Sequence, residues 1–147
     1  MHRFLFDKKI ILAIEAVVDI AAHARGRPVQ ARDIAKRQNI PQRHLEPVMQ
    51  KLAREGIVKG QRGPNGGYLM SRERRNVTIA QIAKAVRAGD LDKDFSDLAT
   101  KVVIPAWFDA STEALSIFEA ITVEDLVKSA EKEGVVESSK QTADFTI

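Results

Sequence analysis

The chain has 147 residues, of which 44% are hydrophobic and 29% are charged, a composition typical of one soluble globular domain. It contains no Cys, which excludes disulfides, cysteine nucleophiles and thiolate metal sites. No apolar run approaches the roughly 18 residues of a membrane span, and charge follows too closely on Met1 for a secretory signal. We therefore expect a cytoplasmic protein with no membrane partner.

Charge is divided unevenly along the chain. Residues 1–89 hold 18 Lys and Arg against 7 Asp and Glu, whereas residues 90–147 hold 5 against 13. The sign changes at an acidic, turn-forming segment, 89–94. This pattern predicts a basic domain over residues 1–89 and an acidic part with a second role. The alternative is a chance excess of charge on a solvated surface.

Three helices are predicted in the basic half, each from apolar residues at helical spacing. The first covers about residues 7–24, with Asp7 as its N-cap, and the second covers 31–38. After a tight turn at Asn39-Ile40-Pro41, the third covers about 42–55. A helix, a short turn and a second helix form the outline of a helix-turn-helix motif.

A β-hairpin follows these helices directly. Residues 57–62 and 68–71 are strand-like, and the turn between them contains Gly63, Gly66 and Gly67. Three helices followed by a basic hairpin predict a winged helix module, which a helix starting at Thr78 closes near residue 88. The glycines do not match a phosphate-binding motif, so nucleotide binding is not favoured.

The acidic half carries a long helix, about 104–120, with an apolar stripe. The residues of the stripe that we expect at a dimer interface are Trp107, Ala114, Phe118 and Ile121. The alternative is that the stripe covers the winged module within a monomer. A capping box starting at Thr122 predicts a short helix over 123–132. Residues 90–132 are thus predicted to form the linker and dimerisation helices, and 133–147 a disordered tail.

Three segments of the chain carry a resemblance to a known family. They are Ile40-Pro41-Gln42-Arg43-His44-Leu45-Glu46, then Leu52-Ala53-Arg54-Glu55-Gly56-Ile57-Val58, and Arg62-Gly63-Pro64-Asn65-Gly66-Gly67-Tyr68-Leu69. On the strength of these segments, the chain resembles the Rrf-type bacterial transcription regulators, the group of IscR, NsrR and CymR. The resemblance covers roughly residues 7–132. The resemblance implies a mainly α fold with a small β-hairpin, in which a winged helix-turn-helix domain precedes a long dimerisation helix. It also implies a homodimer that binds double-stranded DNA at a near-palindromic operator. We expect the protein to act as a repressor, although the sequence itself does not distinguish a repressor from an activator.

The resemblance also implies which residues contact DNA. The helix residues Gln42, Arg43 and Glu46 become candidates for base edges. His44 and Arg62 become candidates for contact with the DNA backbone and the minor groove. Independently, Arg suits guanine, Gln adenine and Glu cytosine. The remaining DNA-binding candidates are Lys51, Lys59 and Asn65. For any one cation, the alternative is an ordinary solvated surface residue.

Two departures from the family pattern bear on these assignments. Pro47 lies inside the supposed recognition helix, so the helix is expected either to kink there or to begin there. The segment from Asp90 to Ile104, where cluster-binding members carry three cysteines, has no Cys and no His. We therefore expect no cofactor and a colourless protein. Scattered carboxylates in this segment leave an acidic metal site as the alternative to a solvated linker.

Two other functional classes were weighed. The three histidines lie on different predicted elements without catalytic or ligand spacing, so we expect no enzyme activity. A winged helix adaptor that binds proteins instead of an operator remains the alternative function, against which the basic charge of residues 1–89 argues. A small-molecule or protein effector is left open; we expect it in the cleft beside Trp107.

Overall fold

A computed structural model describes residues 7–87 and 94–137. Its helices are α1 (Lys8–His23), α2 (Ala31–Arg37), α3 (Gln42–Arg54), α4 (Ile79–Arg87), α5 (Ile104–Ala120) and α6 (Val123–Lys132), and its strands are β1 (Val58–Gln61) and β2 (Gly67–Met70). The predicted fold class, mainly α with a small hairpin, is confirmed. Most of the predicted boundary at 89–94 lies outside the described residues. In the described ranges, no helix combines the length and the apolar character of a membrane span.

Helix α1 is the centre of the module. Its buried face carries Ala13, Ala16, Val17 and Ile20, and it packs against α3, α4 and α6. The carboxylate of Asp7 accepts hydrogen bonds from the backbone N–H groups of Lys9 and Ile10, so Asp7 is the N-cap that the sequence predicted.

A tight turn joins α2 to α3. Asn39 has a φ of +54°, a left-handed conformation that asparagine tolerates better than most residues. The Ile40 N–H then donates to the Ala35 carbonyl at 3.0 Å, and Pro41 precedes the first residue of α3. The turn sets α3 across the module, with its apolar face, from Leu45 to Leu52, in the core.

The hairpin is held to the helices by a third extended segment. β1 and β2 are antiparallel, with Lys59 opposite Leu69. Val29, which precedes α2, exchanges two backbone hydrogen bonds with Tyr68, at 2.9 and 2.8 Å. A Cβ atom at Gly67 would collide with the Val29 carbonyl, so glycine is required for this close approach.

Helix α6 belongs to the same core as the winged module. Val123 and Val127 are buried with residues of α1 and α4. The N-termini of α4 and α6 lie side by side, because Ile79 N–H donates to the Ile121 carbonyl and Val123 N–H to the Val77 carbonyl. The domain boundary predicted at residue 89 therefore does not divide the hydrophobic core.

The start of α6 yields a stability prediction. Thr122 accepts from the Asp125 N–H at 3.1 Å, and the Asp125 carboxylate accepts from the Thr122 N–H at 2.9 Å, as the sequence predicted. The hydrogen bond from the Thr122 backbone N–H to the carboxylate lowers the pKa of Asp125 below its ordinary value. Thr122→Ala should reduce the free energy of unfolding by about 1 kcal/mol, the usual cost of losing such a cap.

The lowered pKa fixes the pH dependence of this effect. The contribution of Asp125 is fully present above its unfolded-state pKa and is lost as pH falls through its lower folded-state pKa. Asp125→Asn should therefore destabilise the protein at neutral pH, and the difference from wild type should shrink in strong acid. Urea unfolding at several pH values measures both variants. A difference independent of pH would contradict the assigned role.

Helix α5 is unlike the other helices, since none of its residues is buried. A π-helical segment, Ala99–Val103, precedes it, in which the Ile104 N–H donates to the Ala99 carbonyl five residues back. Pro105 follows at once and has no N–H to continue an α-helical ladder, which accounts for the irregular start. The predicted linker is thus helical in its later part.

The predicted disordered tail begins with packed residues. Val135 N–H donates to the Ala130 carbonyl at 2.9 Å, and Val136 packs partly against the core. Gly134 has a φ of +72° and ends α6 in the usual left-handed conformation. The remainder of the predicted tail, 138–147, lies outside the described residues.

Candidate DNA-binding surface

The N-terminal part of α3 presents polar side chains to solvent. Gln42, Arg43, His44 and Glu46 are all exposed, whereas Leu45 on the opposite side is completely buried. The four polar residues therefore share the outer surface of the second helix of the helix-turn-helix motif. This is the part of such a motif that meets base edges in the major groove.

Pro47 does not interrupt this surface. Helix α3 begins at Gln42 and continues through Pro47 to Arg54, so the predicted helix of about 42–55 is confirmed and the alternative of a start at Pro47 is wrong. Because proline lacks an N–H, it cannot make the helical hydrogen bond to the Arg43 carbonyl. The loss falls within the first two turns, where the helix is already anchored by its buried face.

The tip of the hairpin carries exposed polar and basic residues. Lys59 lies on β1, Arg62 directly follows β1, and Asn65 lies in the turn; all three are exposed. Gly66 permits the tight turn, since a Cβ there would collide with the Gln61 carbonyl. The wing thus extends a cation beyond the module at Arg62.

Lys51, predicted to contact DNA, lies where α3 meets α4. Its ammonium donates to the Val86 carbonyl, 2.8 Å away near the C-terminus of α4. A cation at a helix C-terminus favours the helix dipole. The structure therefore gives Lys51 a role in joining α3 to α4, which sequence reasoning missed because the two helices are distant in the chain.

A basic cavity adjoins α3. It has a volume of about 520 Å³, and it is lined by Lys8, Lys9, Leu12, Arg43, His44, Pro47, Val48, Lys51 and Val86. Lys8 and Lys9 add positive charge beside Arg43 that sequence reasoning did not assign. The signal was present, because two cations in the first turn of a helix oppose its dipole and need another reason to be there.

The apolar stripe on α5 is largely unpartnered in the single chain. Trp107 is 61% exposed and Phe118 is 42% exposed, while Ala114 and Ile121 are half-buried. On the same helix Phe108 and Ile117 are also exposed. The stripe therefore does not cover the winged module as the monomer alternative required. An exposed apolar stripe of this kind is a candidate interaction surface.

Cavities near the module lie away from the predicted effector cleft. The basic cavity beside α3 contains no residue of α5, and a second cavity, between α1 and α6, contains none either. Neither of these two cavities therefore supports the predicted effector site next to Trp107.

A helix-turn-helix with a basic wing, presenting polar side chains on its second helix, defines a winged helix DNA-binding protein. The chain belongs to the Rrf2 family: the family model described as an iron-dependent transcriptional regulator matches residues 6–129.

Relatives and solved structures agree with this membership. The chain is 32% identical over 128 residues to the HTH-type transcriptional regulator IscR of Xenorhabdus nematophila, covering 81% of this chain and 76% of that protein. A solved structure of T. potens IscR is similar with a TM-score of 0.71 and 29% identity, over 92% of this chain and 95% of that one. CymR of B. subtilis, at 22% identity and a TM-score of 0.64, covers 84% of this chain and 95% of its own, and it shares the fold. The family consists of transcriptional regulators, which confirms that the protein is not an enzyme.

The residues of this chain do not fit an iron centre of the cysteine-ligated type. The sequence has no Cys. Across residues 7–87 and 94–137, no group of three or more His, Asp and Glu side chains is placed to hold a metal ion. The described residues therefore offer no group of side chains that could hold the iron to which the family's description refers.

Proposed function

We propose that this DNA-binding regulator acts as a homodimeric repressor on a near-palindromic operator. The observation that carries the proposal is the exposed polar surface of α3 beside a basic wing. In this arrangement α3 of each subunit enters the major groove and Arg62 of the wing enters the adjacent minor groove. A dimer bound in this way at a promoter would block RNA polymerase, and we propose repression on that account.

The exposed side chains of α3 match the chemistry of base edges. Arg43 can donate two hydrogen bonds to guanine, Gln42 can pair with adenine, and Glu46 can accept from the cytosine amino group. Phosphate contacts come from the surrounding cations and polar groups, and they fix orientation without reading sequence. This second group comprises Lys8, Lys9, His44, Lys51, Lys59 and Asn65.

The dimer part of the proposal is supported by α5. Trp107 and Phe118 present apolar surface to solvent in one chain, and a second copy of the same helix can cover it in a two-fold arrangement. Two modules held in this way read half-sites on one face of the duplex, about one helical turn apart. Two-fold symmetry of the protein then requires near-palindromic symmetry of the operator.

Selection of bound sequences from random DNA tests the readout. Arg43→Ala and Glu46→Ala should each relax base preference at particular operator positions. Each lost contact should reduce discrimination by roughly 1–3 kcal/mol. Lys59→Ala is the matched control, because a lost phosphate contact weakens binding evenly across sequences and lowers its salt dependence.

Two results would contradict the proposal. If wild type and both helix variants select identical sequence profiles, α3 does not read the bases. If the wild-type protein selects no sequence and its DNA affinity does not change with salt, the adaptor alternative is favoured. Deleting the gene and measuring transcription from a promoter with the selected site then tests repression, which requires that transcription rise.

A further inference from the structure

The basic cavity beside α3 has a charged mouth and an apolar floor. Its exposed polar residues, which form the mouth, are Lys8, Lys9, Arg43 and His44. Its least accessible residues are apolar: Val86 is 1% exposed, Val48 is 7% exposed, and Leu12 is half-buried. The volume of about 520 Å³ lies within the range of small-molecule sites. The cavity therefore suits a molecule with an apolar body and a charged head.

The charge at the mouth is positive throughout. No acidic side chain among the described residues lines the cavity. Lys8 and Lys9 lie in the first turn of α1 and Arg43 in the first turn of α3, and neither turn contains an acid. Asp7, the acid that precedes α1, is already engaged, because it caps that helix and forms an ion pair with Arg87. An anionic head at the mouth is thus attracted by several cations.

The floor is held together by the protein itself. Lys51 lies on α3 about two helical turns after Arg43 and lines the same cavity. Its ammonium donates to the Val86 carbonyl at 2.8 Å, which joins α3 to α4. The apolar hollow is therefore formed without a ligand, as in most small-molecule sites.

DNA accounts for the cations of this cavity but not for its floor. A phosphate backbone that passes over Lys8 and Lys9 presents polar oxygens, which gain nothing from contact with Leu12 or Val48. Covering such apolar surface with an apolar chain is favourable. The floor therefore indicates a second occupant, one that carries apolar carbon as well as negative charge.

We propose that the cavity binds a small monocarboxylate with an apolar chain, and that the bound molecule competes with DNA. The guanidinium of Arg43 suits a carboxylate, with which arginine forms paired hydrogen bonds. Competition rests on the proposed function, because Arg43 and His44 line the cavity and also lie on the α3 surface assigned to DNA. A molecule seated over them prevents α3 from entering the major groove.

Octanoate tests binding in the absence of DNA. Titration of the full chain at constant ionic strength, followed by ¹H–¹⁵N NMR, should show saturable shifts of backbone signals around the cavity. Acetate keeps the head without the chain, whereas octanol and octylamine keep the chain and remove or reverse the charge. Each of these three should need at least roughly tenfold higher concentration. The proposal is overturned if any of them matches octanoate, or if the only shifts lie outside the cavity.

Leu12→Ala tests the floor. It removes apolar atoms and leaves every cation in place, so it should weaken octanoate binding roughly tenfold and leave DNA affinity near that of wild type. Leu126→Ala is the matched control, because Leu126 is half-buried on α6 and does not line the cavity. Octanoate binding that is equal in both variants overturns the proposal. Should Leu12→Ala fail to fold, the comparison of octanoate with acetate on the wild-type chain decides.

Mobility-shift titration tests competition separately. Octanoate at about ten times its Kd should weaken operator binding by the wild-type protein roughly tenfold. Acetate at the same concentration controls for salt, on which DNA affinity depends. If octanoate fills the cavity and operator affinity does not change, competition is overturned. If the protein binds no operator even without octanoate, the proposed function fails, and the NMR titration still decides whether the cavity is a carboxylate site.

Discussion

Replacing Phe118 with aspartate is expected to convert the protein to monomers or insoluble material and to abolish tight operator binding. Phe118 lies on the apolar stripe of α5 and is 42% exposed in the single chain, where a second copy can cover it. An aspartate there would be an unpaired charge within a dimer interface, which is very costly. One half-site supplies only part of the contacts, so the monomer should bind DNA far more weakly.

Ser116→Asp is the matched control for this prediction. Ser116 is exposed on α5 but points to the side of the helix opposite the stripe, so the same charge there should leave the assembly intact. Multi-angle light scattering measures the mass of both variants. An intact Phe118→Asp dimer would show that the interface lies elsewhere on the protein.

The second large effect is expected at the wing. Arg62→Ala should weaken specific operator binding by roughly 1–3 kcal/mol, the scale of a good groove contact. The residue is exposed just beyond β1, and the negative potential of a narrow A·T-rich minor groove attracts an arginine placed there. Since its side chain is exposed, its removal should leave thermal stability nearly unchanged.

Lys132→Ala controls for the loss of one positive charge. Lys132 is exposed at the end of α6, which packs on α1 and not on the hairpin. Mobility-shift titration at a single salt concentration should separate the two variants. If both lose affinity equally, the effect of Arg62 is one of net charge and not of a groove contact.

Local patterns predicted the elements well because each element carries its own signals. Asp7 and Thr122 marked helix starts by side-chain chemistry that acts within three residues. The paired glycines marked the hairpin for an equally local reason, since Gly66 and Gly67 sit where a Cβ has no room. The order of these elements, three helices and then a hairpin, was enough to predict the winged helix fold.

Long-range contacts were beyond what such patterns can predict. The acidic composition of the second half suggested a separate unit, yet Val123 and Val127 complete the core of the first. The hydrogen bond from Lys51 to the Val86 carbonyl joins two helices that are distant in the chain, and no local pattern predicts it. The sequence left two alternatives open at Pro47, because the buried face that holds α3 together across the missing hydrogen bond is formed by tertiary packing.

The return of the chain to the core at α6 changes how the two halves of the protein can move. Helix α5 packs against α4, where Lys84 and Glu119 lie 3.4 Å apart, and the bridge between Thr78 and Thr122 fixes the chain again where α5 ends. Both contacts lie at the C-terminal end of α5, so this end of the helix is held to the winged module. In the proposed homodimer, this attachment would carry the orientation of α5 into the spacing between the two winged modules. The spacing of the two half-sites would then be selected by the geometry of the protein as well as by base contacts.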